Sequence, residues 1–215
     1  MVSSQKAMVD TLTRVRVAYD AHINPLPSSW SSHGYVAVGN FLDATTANEV
    51  AQDVSNLEVK IDDPNVTLNL GLRGRYRNLT GKDYGDVPKV VELIVSTAKA
   101  VAGVFNEVDR ETGKAGKKVL NGQVQQNRAG LEVGSKGEWV DVEGGEGVEV
   151  EVIYYVRGGG GGRVKVGGDV VELGEGNVMV MVDRKRGTEV EREGEGEEEQ
   201  GVVRVWMYKA EDDNV

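Results

Sequence analysis

The sequence contains no cysteine. Disulfides, zinc–thiolate centres and thiol nucleophiles are therefore excluded. Histidine is nearly as scarce: His22 and His33 are the only two in 215 residues, and both lie near the N-terminus. Serine–histidine–aspartate chemistry would need one of them beside a nucleophilic serine, and neither stands in a Gly-X-Ser-X-Gly context. His33, after a serine-rich connector, is expected at the surface. Long apolar runs are missing as well, since no stretch approaches the ~20 residues of a membrane-spanning helix. Lys6, Asp10, Arg14, Arg16 and Asp20 leave no apolar core for a signal peptide. A cytosolic or nuclear location is expected, which makes the sequons at Asn65 and Asn78 chance matches. Positive charge is in deficit, with a formal net charge of −10. That balance argues against nucleic acid or an anionic membrane as partner.

The remaining composition, 39% hydrophobic and 28% charged, is that of a soluble globular protein. The length suits one domain with a sizeable core. Valine, glycine and glutamate dominate the second half, which predicts strands and turns. Residues 189–199 (EVEREGEGEEE) hold seven Glu against one Arg. A like-charge block of this kind is expected as a solvated loop, with docking of a basic partner as the alternative.

Met8, Leu12, Val15 and Tyr19 recur at helical spacing over 5–22. A proline- and serine-containing connector follows, then a short strand at 35–38. Asp43 or Thr45 can cap a helix over about 44–56 with Ala47, Val50, Ala51 and Val54 on one face. Asp86, with Pro88 in the first turn, predicts a second helix to about residue 108. Its expected buried face is Val91, Ile94, Val95, Ala98, Val101, Ala102 and Phe105. From Lys118 the pattern turns to period two: VLNGQVQQNR, VEVEVIYYVR, GRVKVGG, DVVELG, NVMVMVD and GVVRVWMYK. The glycines 158–162 are expected at a hairpin tip, because the strand-like RVKV that follows offers no helix N-terminus for phosphate. Helices first and short strands after predict an α+β protein, a jelly roll buttressed by N-terminal helices.

GYVAVGNFLD (34–43), LRGRYRNLTG (72–81), WVD (139–141), IYYV (153–156), GTEV (187–190) and VVRVWMY (202–208) stand in an order and spacing that resembles the prolyl 4-hydroxylase-like dioxygenases. The oxygen-sensing prolyl hydroxylases are the most similar type. The resemblance covers about residues 33–210, leaving 1–32 as a helix and connector and 211–215 as an acidic tail. It implies a double-stranded β-helix and an Fe(II)- and 2-oxoglutarate-dependent activity. The family's metal is held by two His and one carboxylate on one face, leaving positions for 2-oxoglutarate and O₂. The family pattern places Trp139 where the first His belongs, keeps Asp141, and puts Thr188 where the second His belongs. Neither His22 nor His33 can reach the strand region by any realignment, and a carboxylate with one hydroxyl is a poor Fe(II) site.

The cosubstrate positions depart from the family too. The family's carboxylate-binding Arg stands six residues before a strand Trp; six before Trp206 is Gln200. Arg204 lies on the same strand face. It is expected to turn toward the vacated metal position and pair with Asp141, because a lone buried carboxylate there would be costly. Tyr155 matches a tyrosine that contacts 2-oxoglutarate in relatives, and equally fits a half-buried strand aromatic. Trp139 is expected to plug the former cavity, and Trp206 to line what pocket is left.

These substitutions lead to a non-catalytic binding or regulatory module, with no cofactor expected and a peptide or protein in the former substrate groove. Two alternatives stand beside it. One is an active 2-oxoglutarate dioxygenase that hydroxylates prolyl residues and keeps Fe(II) and 2-oxoglutarate. The other is an oxygen-rich metal site built from Asp141, Glu143, Asp183 and Glu189.

Overall fold

The computed structural model describes residues 13–61, 76–78, 88–111, 120, 128–133, 147–156, 163–174, 176–193 and 201–209. Four α-helices come first in these segments: α1 (13–22), α2 (Ser28–His33), α3 (Ala44–Ile61) and α4 (Pro88–Glu111). Strand β1 (Tyr35–Gly39) follows α2, and β2 (Tyr76–Asn78) lies between α3 and α4. The rest is β: β3 (Arg128–Val133), β4 (Val148–Tyr155), β5 (Arg163–Val166), β6 (Asp169–Glu172), β7 (Val178–Asp183), β8 (Val190–Glu193) and β9 (Gly201–Tyr208). A single 3₁₀ turn, Arg184–Arg186, leaves β7. No helix among the described residues is long and apolar enough to cross a membrane.

The strands form two antiparallel sheets. The larger has six strands in the order β1-β7-β4-β9-β3-β2; the smaller has three, β6-β5-β8. Period-two alternation gives the large sheet two distinct faces. Val152, Tyr154, Met179, Met181, Val203, Val205 and Met207 point one way and join the helices in one core. Ile153, Tyr155, Val178, Val180, Val182 and Val202 point the other way and pack on Val164, Val166, Leu173 and Val190 of the small-sheet side. Both faces being buried, β7 and β9 read as near-continuous apolar runs rather than as alternating ones. At about 1.5–3 kcal/mol per buried large aliphatic side chain, these two clusters supply the main cohesion of the fold.

The helices form where the sequence predicts, with details settled by tertiary contacts. In α1, Val15 and Tyr19 are buried, as is Ile23 just beyond it. Met8 and Leu12 lie outside the described residues. Asp43 caps α3 by accepting from the backbone N–H of Thr45 (3.0 Å) and Thr46 (3.1 Å) and from the Thr46 hydroxyl (2.7 Å). Val50, Ala51 and Val54 are buried as predicted. The start of α4 is capped from another helix: Asp53 of α3 accepts from the N–H groups of Lys89 (2.5 Å) and Val90 (3.1 Å). Asp86, the expected cap, lies outside the described residues. The face of α4 is also turned slightly from expectation. Val90, Leu93, Ile94, Ala98, Val101, Ala102 and Val104 are buried, while Val91, Val95 and Phe105 are only partly covered.

Of the run VLNGQVQQNR, Leu120 forms a bridge to Lys209 and Arg128 opens β3; its other residues lie outside the described residues. Glycines 158–162 lie outside the described residues; β4 before them belongs to the large sheet and β5 after them to the small, so these two strands do not pair as the expected hairpin would require. The true tight hairpin is β5–β6. Its two-residue turn, Gly167 (φ 58°) and Gly168 (φ 96°), needs positive φ at both positions, which glycine supplies without steric cost.

α1 is fastened to the large sheet by a chain of buried hydroxyls. The Tyr19 and Tyr154 phenols lie 2.5 Å apart, and the Tyr154 phenol lies 2.6 Å from the Thr97 hydroxyl. Thr97 in turn donates to the Leu93 carbonyl at 2.7 Å. Burial pushes the pKa of both phenols well above the ordinary tyrosine value, so the chain stays neutral.

Candidate functional site

The motif IYYV places its two tyrosines on opposite faces of β4. Tyr154 belongs to the helix-side core, and Tyr155 faces the small sheet beside Val202. Tyr155 is 1% exposed, so it is fully rather than half buried. Arg204 and Trp206 follow on the same inner face of β9, opposite Ile153 and Glu151 respectively, and each is 2% exposed. Thr188 sits between the 3₁₀ turn and β8 and is buried. Three of the positions named from the sequence thus line one inter-sheet face: Tyr155, Arg204 and Trp206. Trp139, Asp141 and Gln200 lie outside the described residues.

Arg204 is engaged, and by a residue that sequence reasoning missed. Its NH1 donates to Oε1 of Glu151 at 3.0 Å. Glu151 is completely withdrawn from solvent. Its other oxygen, Oε2, accepts from Nε of Arg184 at 2.7 Å, and Arg184 NH1 donates to the Thr188 carbonyl at 3.0 Å. One carboxylate therefore bridges two guanidinium groups, and the relay Arg204–Glu151–Arg184–Thr188 runs across the inner face. The expected partner of Arg204, Asp141, lies outside the described residues; the described contact is with Glu151. The signal was present in VEVEVIYYV. Glu151 shares parity with Ile153 and Tyr155, so an inward charge was legible from the alternation, and an inward Glu demands a cation.

Thr188 is held from its other side by the α2–β1 turn. A Cβ placed on Gly34 (φ 75°) would lie 3.0 Å from the Thr188 hydroxyl oxygen and 3.0 Å from Cδ of Arg186. A Cβ on Gly167 would lie 3.2 Å from the Thr188 methyl. Glycine at 34 thus permits a close approach that any side chain would obstruct.

The described donors do not fit the family's iron. Thr188, which the resemblance matches to the second His, carries a hydroxyl and not an imidazole. His22 lies on α1 with its ring 6.0 Å from that of Phe41. His33 ends α2, exposed, with Nδ1 2.8 Å from the Ser32 hydroxyl. Among the described residues no three His, Asp or Glu side chains cluster as a metal site. Nor does the oxygen-rich alternative assemble from what is described. Asp183 accepts from the Lys185 N–H at 3.1 Å and pairs with Arg186 at 3.2 Å, closing the 3₁₀ turn, and Glu189 is exposed. Asp141 and Glu143 lie outside the described residues.

No protein-family model and no curated protein sequence matches this chain. Solved structures do. A prolyl 4-hydroxylase from Phytophthora capsici aligns with a TM-score of 0.64 at 13% identity over 93% of this chain. The fold is that of the prolyl 4-hydroxylases. A Trichoplax adhaerens prolyl hydroxylase, crystallised with a hypoxia-inducible-factor peptide fragment, gives a TM-score of 0.54 at 17% identity, covering 92% of this chain and 91% of that one. A Pseudomonas putida prolyl-4-hydroxylase gives 0.55 at 12% identity, covering 89% and 98%. The chain spans 65% of the length of the Phytophthora protein. The resemblance read from sequence is borne out at the level of fold.

Proposed function

We propose that this chain is a prolyl-hydroxylase-fold module that has given up iron chemistry and works by binding a peptide or protein segment. Residues 33–210 would then form one double-stranded β-helix, a reading supported by the two facing antiparallel sheets and the TM-scores above. The observation that carries the proposal is the relay Arg204–Glu151–Arg184–Thr188. It sets a buried ion cluster on the inner face and reaches the backbone carbonyl of Thr188, whose side chain is a hydroxyl at the position the resemblance matches to an iron-binding imidazole. The whole chain holds only two histidines, neither on these strands. The scaffold is suited to segment binding in that the Trichoplax neighbour holds a peptide fragment.

The test is anaerobic titration calorimetry of the full chain with Mn²⁺ in place of Fe²⁺, with and without 2-oxoglutarate. Melting temperature is followed in parallel at millimolar ligand. The expected result is no heat and no thermal shift. Metal binding that is strengthened by 2-oxoglutarate would overturn the proposal and mark the chain as an oxygenase.

A further inference from the structure

On the helical side of the molecule, far in function from the inter-sheet face, α1 and α4 leave a cleft of about 580 Å³ between them. Ala100, Gly103 and Val104 of α4 line it, with Val17 of α1 opposite. A Cβ added to Gly103 would meet nothing within 4 Å, so space stands open above it. Val17 is 60% exposed, although Val15 and Tyr19 of the same helix are in the core. A branched apolar side chain in water next to a shallow apolar hollow is a knob beside a hole.

The charges around Val17 identify what the knob fits. Arg16 and Asp20 flank it, 3.8 Å apart, with side chains 79% and 57% exposed. An exposed pair at this spacing contributes a few tenths of a kcal/mol at most, so exchanging it for an intermolecular pair costs little. Along the cleft the α1 side reads Thr13, Arg16, Val17, Asp20, Asn24: polar, cation, apolar, anion, polar. Reversed, that order is its own electrostatic complement. In an antiparallel two-fold pairing, Arg16 of each copy faces Asp20 of the other, and each Val17 is directed at the other copy's hollow. Lys99, exposed, adds a further cation to the cleft lining.

The geometry points to this cleft as a self-association face: two copies of the chain pack as a two-fold dimer through α1 and α4. The inference is independent of the binding role proposed for the inter-sheet face.

Sedimentation velocity of the full chain over a range of concentrations tests it. A reversible dimer is expected. Val17→Glu removes the knob and Gly103→Leu fills the hole; each is expected to leave a monomer with an unchanged circular dichroism spectrum. Both sites are open to solvent, and leucine is the better helix former at 103, so neither variant threatens folding. Arg16→Glu alone is expected to weaken the dimer several-fold, and Arg16→Glu with Asp20→Lys to restore it. A chain that sediments as a monomer throughout overturns the inference. So does a dimer that persists in either Val17→Glu or Gly103→Leu, or a double reversal as weak as the single.

Discussion

Arg204 of β9 and Glu151 of β4 meet at 3.0 Å with almost no solvent access to either. Desolvating two charges costs several kcal/mol, and their attraction recovers it only while both are present. Glu151→Gln should therefore destabilise the fold by about 3–5 kcal/mol, since it leaves two guanidinium groups beside a neutral amide. Replacing the relay together, as Glu151→Met with Arg204→Leu and Arg184→Met, should cost much less than Glu151→Gln alone. Urea denaturation of the four proteins (wild type, Arg204→Leu, Glu151→Gln and the triple variant) measures this. A triple variant as unstable as Glu151→Gln would contradict it.

The hydroxyl chain behind β4 gives a second prediction. Tyr154→Phe removes the central member and leaves the Tyr19 and Thr97 hydroxyls facing a ring edge in the core. The expected loss is about 1–3 kcal/mol. Tyr19→Phe should cost less, because Thr97 still serves Tyr154. The double variant should fall short of the sum of the singles, since the two share one bond. Thermal melts of the three variants check the non-additivity.

Asp43 and Asp53 should respond to pH with opposite signs. For Asp43, burial raises the pKa, but the hydroxyl and N–H of Thr46, the charge of Arg14 and the Thr45 N–H outweigh it and hold the carboxyl below its ordinary value. Its contribution is present above the unfolded pKa and is lost as pH falls through the lower folded one. For Asp53, burial wins over the N–H groups of Val90 and Lys89, and the pKa is raised. The native state then binds the extra proton, so this group favours folding at low pH and opposes it progressively as pH rises through the folded pKa. Asp43→Asn should lose stability relative to wild type at neutral pH, by less than about 1 kcal/mol given that Asn also caps, and the gap should close in acid. Asp53→Asn should gain on wild type as pH rises. Melting temperatures between acid and neutral pH decide both.

A glycine fixes how closely α3 approaches β9. A Cβ on Gly201 would lie 2.5 Å from Cγ1 of Val54. Gly201→Ala should cost about 1–3 kcal/mol through overpacking, and Val54→Ala in the same chain should recover part of that loss. Chemical denaturation of the single and double variants reads it out.

Much of the fold was legible because its signals are local. The stripe Val50, Ala51, Val54 and the cap Asp43 follow from residues within one helix, and the two-faced large sheet follows from alternation in VEVEVIYYV. What sequence missed was non-local. Asp53 caps a helix that starts over thirty residues later, which no neighbouring motif announces. A glycine run between two strands suggests a hairpin because local composition cannot say that β4 and β5 belong to different sheets. At the site, parity puts Arg204 on the strand face of Gln200 and the resemblance points to Tyr155, but the pairing of Arg204 with Glu151 was not legible. Parity assigns faces; it does not choose between inward carboxylates. Arg184 carried no periodic signal at all, since it stands in the 3₁₀ turn just past β7.

The large sheet is shared by two cores that do not depend on each other for their chemistry. Helices α1, α3 and α4 seal one side with hydroxyl bonds and aliphatic packing, and among the described residues Tyr155, Arg204 and Trp206 all face the other side. Substitutions on the opposite side leave the hydroxyl chain and the helix packing untouched so long as the charges of the Glu151 relay stay balanced. That division lets the chemistry of one face change while the architecture beneath it is kept.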